Sequence, residues 1–185
     1  MASKLRVNQI EPIGGVPTGG GGGIIQVKNT TVTGGSTLTL SSAWVDSELT
    51  CSITPLSASN KILISMSATG EGNAANQQRF GYRIKRAISD GATSYLVGDT
   101  AGDRTLLTGL TGDLTDNATT TASSFSFSNY FDAPATISAV TYTIQFTYEN
   151  AGGSGTYYLN RQVTNTDAAA TGKYISWMTL MEVSG

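Results

Sequence analysis

From Val140 to Tyr148 the chain alternates without a break: Val140, Tyr142, Ile144, Phe146 and Tyr148 share one phase of a two-residue period, and Thr141, Thr143, Gln145 and Thr147 share the other. An extended strand points successive side chains to opposite faces, so this pattern predicts a strand with one buried face. The same period recurs in stretches closed by Gly, Pro, Asn, Asp or Ser. Ile25 and Val27 begin the series, and Leu38 and Leu40 follow. Leu49, Cys51 and Ile53 stop at Pro55, and Ile62, Ile64, Met66 and Ala68 stop at Gly70. Phe80, Tyr82 and Ile84 lead through an Asp90-Gly91 turn to Tyr95-Leu-Val97, and Phe125 and Phe127 form a further pair. After a glycine-rich turn at 151–155, residues 156–161 are expected to form a hairpin with the 140–148 strand. The last strand, Tyr174 to Val183, is apolar on both faces, with Ile175, Trp177, Met181 and Val183 against Tyr174, Met178 and Leu180. Such a strand is central in a sandwich or lies at a subunit interface. Residues 70–78 and 101–122 read as loops. Eight or more short strands in two packed sheets predict an all-β fold, a jelly-roll β-sandwich.

The first 23 residues obey a different rule. Leu5 and Val7 alternate around Arg6, and Ile10, Ile13 and Val16 continue the apolar character. Pro12, Pro17, Gly14, Gly15 and the run Gly19 to Gly23 forbid a helix. A peptide this short does not bury its apolar residues alone, because ordering its backbone costs about 1–2 kcal/mol per residue. The expected organisation is an extended N-terminal docking segment with a glycine linker over 1–23, and a β-sandwich head domain over 24–185. Leu5, Arg6, Val7, Ile10, Ile13 and Val16 are the candidate residues for docking to a larger partner.

Composition narrows the chemistry. Charged residues make up 13% of the chain, against about 25% in an ordinary globular protein. The net charge of −2 comes with no basic stripe, which argues against nucleic acid as a partner. The chain has no histidine, so Ser-His-Asp, Cys-His and His-ligated zinc schemes are excluded. Cys51 alternates with polar neighbours and is expected in the core. The carboxylates mostly stand beside turn residues, where Asp caps the local backbone. Neither Asp99 to Asp103 nor Asp113 to Asp116 has the spaced acids and terminal Glu of a calcium loop. The glycine run lacks the Lys-Ser or Lys-Thr of a phosphate loop and precedes a strand. Tyr130, Phe131, Tyr157, Tyr158 and Trp177 offer rings for sugar stacking, but aromatics alternating along strands are first read as core or interface anchors. No catalytic residue, cofactor or metal site is expected. No apolar run reaches the length of a membrane span, and no secretory signal is recognised, so folding in the cytosol is expected.

The opening Ser3-Lys-Leu-Arg-Val-Asn-Gln-Ile-Glu-Pro12, passing through Gly-Val-Pro-Thr into the glycine tract and Ile24-Ile-Gln-Val-Lys28, resembles the N-termini of tail-fibre and related virion proteins of marine and cyanobacterial tailed phages. The segment from Ser52 to Ile64, with its Thr-Pro turn feeding a core strand, is similar to the same proteins. The resemblance implies a homotrimeric jelly-roll head, like those of tumour necrosis factor and complement globular heads, carried on an N-terminal anchor. Trimerisation would bury the surplus apolar face of the last strand, for which Tyr142, Tyr174, Met178 and Leu180 are the candidates. The expected function is that of a non-enzymatic virion protein. It would be a short tail or baseplate fibre, docked through residues 3–17 to a tail, baseplate or capsid protein and attached to a host-surface glycan or protein. A capsid decoration or vertex protein of the same build is the alternative. A polysaccharide depolymerase would need two acids about 5–10 Å apart across a cleft.

Overall fold

The computed structural model describes residues 23–74, 79–100, 102–111, 120–149 and 153–185. Among them are eleven strands: β1 (Ile24–Val32), β2 (Ser36–Leu40), β3 (Val45–Ile53), β4 (Lys61–Ala74), β5 (Phe80–Ile88), β6 (Thr93–Leu96), β7 (Gly109–Thr111), β8 (Thr120–Asp132), β9 (Val140–Tyr148), β10 (Gly155–Leu159) and β11 (Ser176–Val183). Several are halves of one interrupted strand. β10 and β11 lie end to end along the same edge of β4, while β1 pairs with β11 and β2 with β10. In the same way β6 and β7 share one edge of β5.

With the halves joined, the antiparallel pairings nest inside one another. β1 and β2 pair with β11 and β10, β3 with β9, β4 with β8, and β5 with β6 and β7. One long antiparallel ribbon has thus folded over on itself into two sheets, which is the jelly roll. The first sheet holds β1, β2, β10, β11, β4 and β8; the second holds β3, β9, β5, β6 and β7.

The inward phases of the strands meet between the sheets. β9 follows its sequence pattern, with Val140, Tyr142, Ile144, Phe146 and Tyr148 all buried. Cys51 is buried in the same core. Phe125 and Tyr157 from the first sheet pack against Phe146 from the second, with ring centroids 5.2 and 5.0 Å away. Tyr82 meets Phe125 edge-on at 4.9 Å. Such ring pairs add about 0.5–1.5 kcal/mol each to the burial of their area.

Three expectations are corrected. β4 does not stop at Gly70 but runs on to Ala74, with Gly70 and Gly72 at inward positions. A Cβ on Gly70 would lie 2.3 Å from the Tyr158 carbonyl oxygen, and one on Gly72 would lie 2.1 Å from the Phe80 ring. These glycines make room for aromatic rings inside a strand. Residues 156–161 do not form a hairpin with β9, because β10 lies in the opposite sheet between β2 and β4. The span 101–122 is not all loop, since it contains β7 and the start of β8.

Asn160 holds both strand breaks together. With φ at +59° it turns the chain out of β10. Its side-chain amide donates to the Val32 carbonyl at 2.8 Å and the Gly34 carbonyl at 3.2 Å, where β1 breaks before β2. Its side-chain oxygen accepts from Ser176 Oγ at 2.5 Å, where β11 resumes.

Candidate interaction surfaces

The candidate docking residues Leu5, Arg6, Val7, Ile10, Ile13 and Val16 lie outside the described residues. Of the four proposed trimer contacts, Tyr142, Met178 and Leu180 are fully buried within a single chain, so none is available to a second copy. The reason is phase: even-numbered positions of β9 and β11 point between the sheets. Tyr174 precedes β11 and is half-buried. The surface of β11 belongs to the other set, Trp177, Thr179, Met181 and Val183.

The outer face of the first sheet carries an apolar row that only the register reveals. Val27 stands opposite Met181, Met181 opposite Leu63, and Leu63 opposite Phe131. Directly paired residues share a face. One apolar side chain from each of β1, β11, β4 and β8 therefore forms a line about 14 Å long across the sheet. Val27 and Phe131 at its ends are 52% and 53% exposed. The neighbouring row is polar, with Asn29 Nδ2 donating to Thr179 Oγ1 at 2.8 Å and Thr179 opposite Ser65.

The outer face of the second sheet is polar and charged. Asp46, Gln145 and Arg83 stand side by side on β3, β9 and β5. In the next row Thr50, Thr143, Lys85 and Tyr95 cross four strands. Between the two rows β3 bulges, and Ser47 Oγ donates to the Ile144 carbonyl at 2.8 Å where the ladder is interrupted. Arg83 Cζ lies 4.1 Å from the centre of the Trp44 ring and 3.6 Å from that of Tyr95. Its Nε donates to Gln145 Oε1 at 2.6 Å, and Gln145 Nε2 donates to Asp46 Oδ1 at 2.6 Å. Lys85 pairs with the other oxygen of Asp46. Burial works to raise the Asp46 carboxyl, but the bonds from Lys85 and Gln145 outweigh it and hold the group below its ordinary value.

Two acids serve the fold instead of a surface. Asp132 accepts from Arg86 Nη1 at 2.6 Å and from the Tyr142 hydroxyl at 2.7 Å. Burial, reinforced by that bond, pushes the Tyr142 phenol far above its ordinary value of 10, so it stays a donor. Glu182 accepts from Gln26 Nε2 at 2.6 Å, Asn60 Nδ2 at 2.5 Å and the Leu56 amide at 2.7 Å. The expectation that most acids cap turns does not extend to these two, which accept bonds from the buried side chains of Tyr142 and Asn60.

The candidate stacking rings divide. Tyr157 is a core residue, and Tyr158 is covered by Arg161 at 4.3 Å. Phe131 belongs to the apolar row. Tyr130 is 41% exposed and packs on Phe127 at 5.2 Å. Those two line a cleft of about 190 Å³ with Leu96, Val97, Gly98 and Thr108, a set without a carboxylate. Among the described residues no group of three or more Cys, Asp or Glu is placed to hold a metal ion. No protein-family model matches the chain, and no curated protein matches it.

Proposed function

We infer that the chain is a non-enzymatic attachment module of a phage virion, a short tail or baseplate fibre. Its first residues dock to the particle, and a homotrimer of the sandwich is presented to the host surface. The observation that supports this reading best is the row Val27, Met181, Leu63 and Phe131 on the outside of the first sheet. A solvent-facing sheet alternates polar residues outward, and four adjacent strands breaking that rule at one level mark a surface to be covered. A second and third copy cover it where the row lies along a three-fold axis, so that equivalent rows meet around the axis and the ring closes. The resemblance of residues 3–12 and 24–28 to virion proteins supplies the setting and the docking role of the first segment.

The test is the solution mass of the full-length protein by light scattering at several concentrations. Three times the chain mass of 19.2 kDa is expected. A monomer at all concentrations overturns the trimer. Deleting residues 1–23 is expected to abolish incorporation into particles while the sandwich stays folded.

A further inference from the structure

We propose that Arg83, held between Trp44 and Tyr95 on the outer face of the second sheet, is the centre of a binding site for a carboxylated saccharide. A guanidinium carries its hydrogen-bond donors in its plane and attracts aromatic rings on its faces. Here the rings of Trp44 and Tyr95 take the faces, at 4.1 and 3.6 Å, and Gln145 takes Nε. The edge formed by the two terminal nitrogens makes no hydrogen bond to any described residue, and it is what the site offers a ligand. An acceptor with two oxygens in one plane fits that edge as a bidentate pair.

The anion already nearby is spent. Both oxygens of Asp46 are engaged, one by Lys85 and one by Gln145, so the ion pair beside Arg83 is closed on itself. With Lys85 balanced by Asp46, and Glu48 exposed on the same strand, the face has little net charge to hold a dianion. It suits a single carboxylate. The row beside it supplies the Thr50 hydroxyl, which lies 3.0 Å from that of buried Thr143 and donates to the Tyr142 carbonyl at 3.1 Å, leaving it an acceptor. The row beyond supplies exposed Ser52 and half-buried Thr141, 2.7 Å apart, where either can donate or accept. Tyr95 is 41% exposed and leaves part of its ring to the apolar face of a pyranose. A ring bearing one carboxylate and several hydroxyls, a hexuronate or another acidic sugar, matches all three features.

The site deepens the attachment reading, on which it rests only for where such a sugar is met. The experiment uses purified full-length protein and polygalacturonate at about 0.15 M ionic strength, compared with the same polymer methyl-esterified and with polyglutamate. Binding is expected to polygalacturonate, about tenfold or more weaker to the ester, and weaker to polyglutamate. Arg83→Gln is expected to lose about tenfold or more, and so is Arg83→Lys, which keeps the charge but not the fork. Lys61→Gln, away from this face, is expected to bind as wild type does. Unchanged thermal midpoints in the Arg83 variants separate lost binding from lost fold; should Arg83→Gln unfold, Arg83→Lys and Tyr95→Ala carry the test. Failure of the wild type to bind, equal binding to the ester or to polyglutamate, or wild-type affinity in the Arg83 variants overturns the proposal. None of these outcomes depends on the trimer mass or on particle incorporation, so the two readings fail separately.

Discussion

Glu182 has no surface exposed to solvent, yet three donors converge on its carboxylate. Burial pushes its pKa up, and the bonds from Asn60, Gln26 and the Leu56 amide more than reverse this, leaving it below the ordinary 4.5. A carboxyl with a depressed folded-state value binds protons more readily when unfolded, so its contribution is whole above about pH 4.5 and is lost as the pH falls through the lower folded value. Urea midpoints measured from pH 7 down to pH 3 are expected to drop across that window. In Glu182→Gln the drop is expected to shrink, while stability at pH 7 falls by about 1–3 kcal/mol because an amide turns its own donors toward the donors of Asn60 and Gln26. Ala135 tests the opposite sign. It is exposed and sits at φ +52°, a left-handed conformation that costs a residue with a Cβ about 1–2 kcal/mol. Ala135→Gly is expected to raise the thermal midpoint, and an unchanged or lower one contradicts the strain. Neither site was legible in the sequence. Glu182 stands in an apolar strand, and its partners Gln26 and Asn60 are far away along the chain.

At the scale of elements, β9 could be read residue for residue, because its alternation is unbroken and its turns are marked. The same holds for the inward residues of β3 and for β4 as far as Ala68. The far half of β4 could not, because its inward positions are glycines, which in a period-two count look like a strand ending. The reason lies in the opposite sheet and in β10: Phe80 and Tyr157 need the space. Gly72→Ala is expected to destabilise the fold by about 1–3 kcal/mol, since the intruding methyl meets a packed ring. Gly98→Ala, with open space around its Cβ position, is expected to change the midpoint little. The pairing of β10 is hidden in the sequence for a different reason. Short turns favour sequential hairpins, whereas the nested ribbon sends the chain from one sheet to the other after β9. Asn160 is the residue that makes β10 and β11 one line, and Asn160→Ala removes three side-chain bonds at a buried position, for an expected loss of about 2–4 kcal/mol.

Taken whole, the molecule has two broad faces of opposite character. The surplus of apolar residues in the last strand was legible, but the phase facing outward was not: the residues assigned to an interface, Tyr142, Met178 and Leu180, are the ones that fill the core. The outward-facing set is made of apolar residues out of phase in four separate strands, such as half-buried Leu63 between Ile62 and Ile64, and they form a row only once the register is known. Arg83, Trp44 and Tyr95 were likewise scattered along the chain until β3, β9, β5 and β6 were laid side by side. The division of labour between the faces can be tested in one set of proteins. If the first sheet's row is covered by further copies, assembly stabilises the fold by mass action, and the thermal midpoint of the wild type rises with protein concentration. Met181→Lys places a charge at the centre of that row while leaving the inward phase of β11 intact. Its solution mass is expected to fall to a single chain, with a midpoint lower than wild type and independent of concentration. Arg83→Gln, on the opposite sheet, is expected to keep the wild-type mass and the same concentration dependence. A Met181→Lys protein that still assembles moves the interface off the first sheet, and an Arg83→Gln protein that dissociates places it on the second.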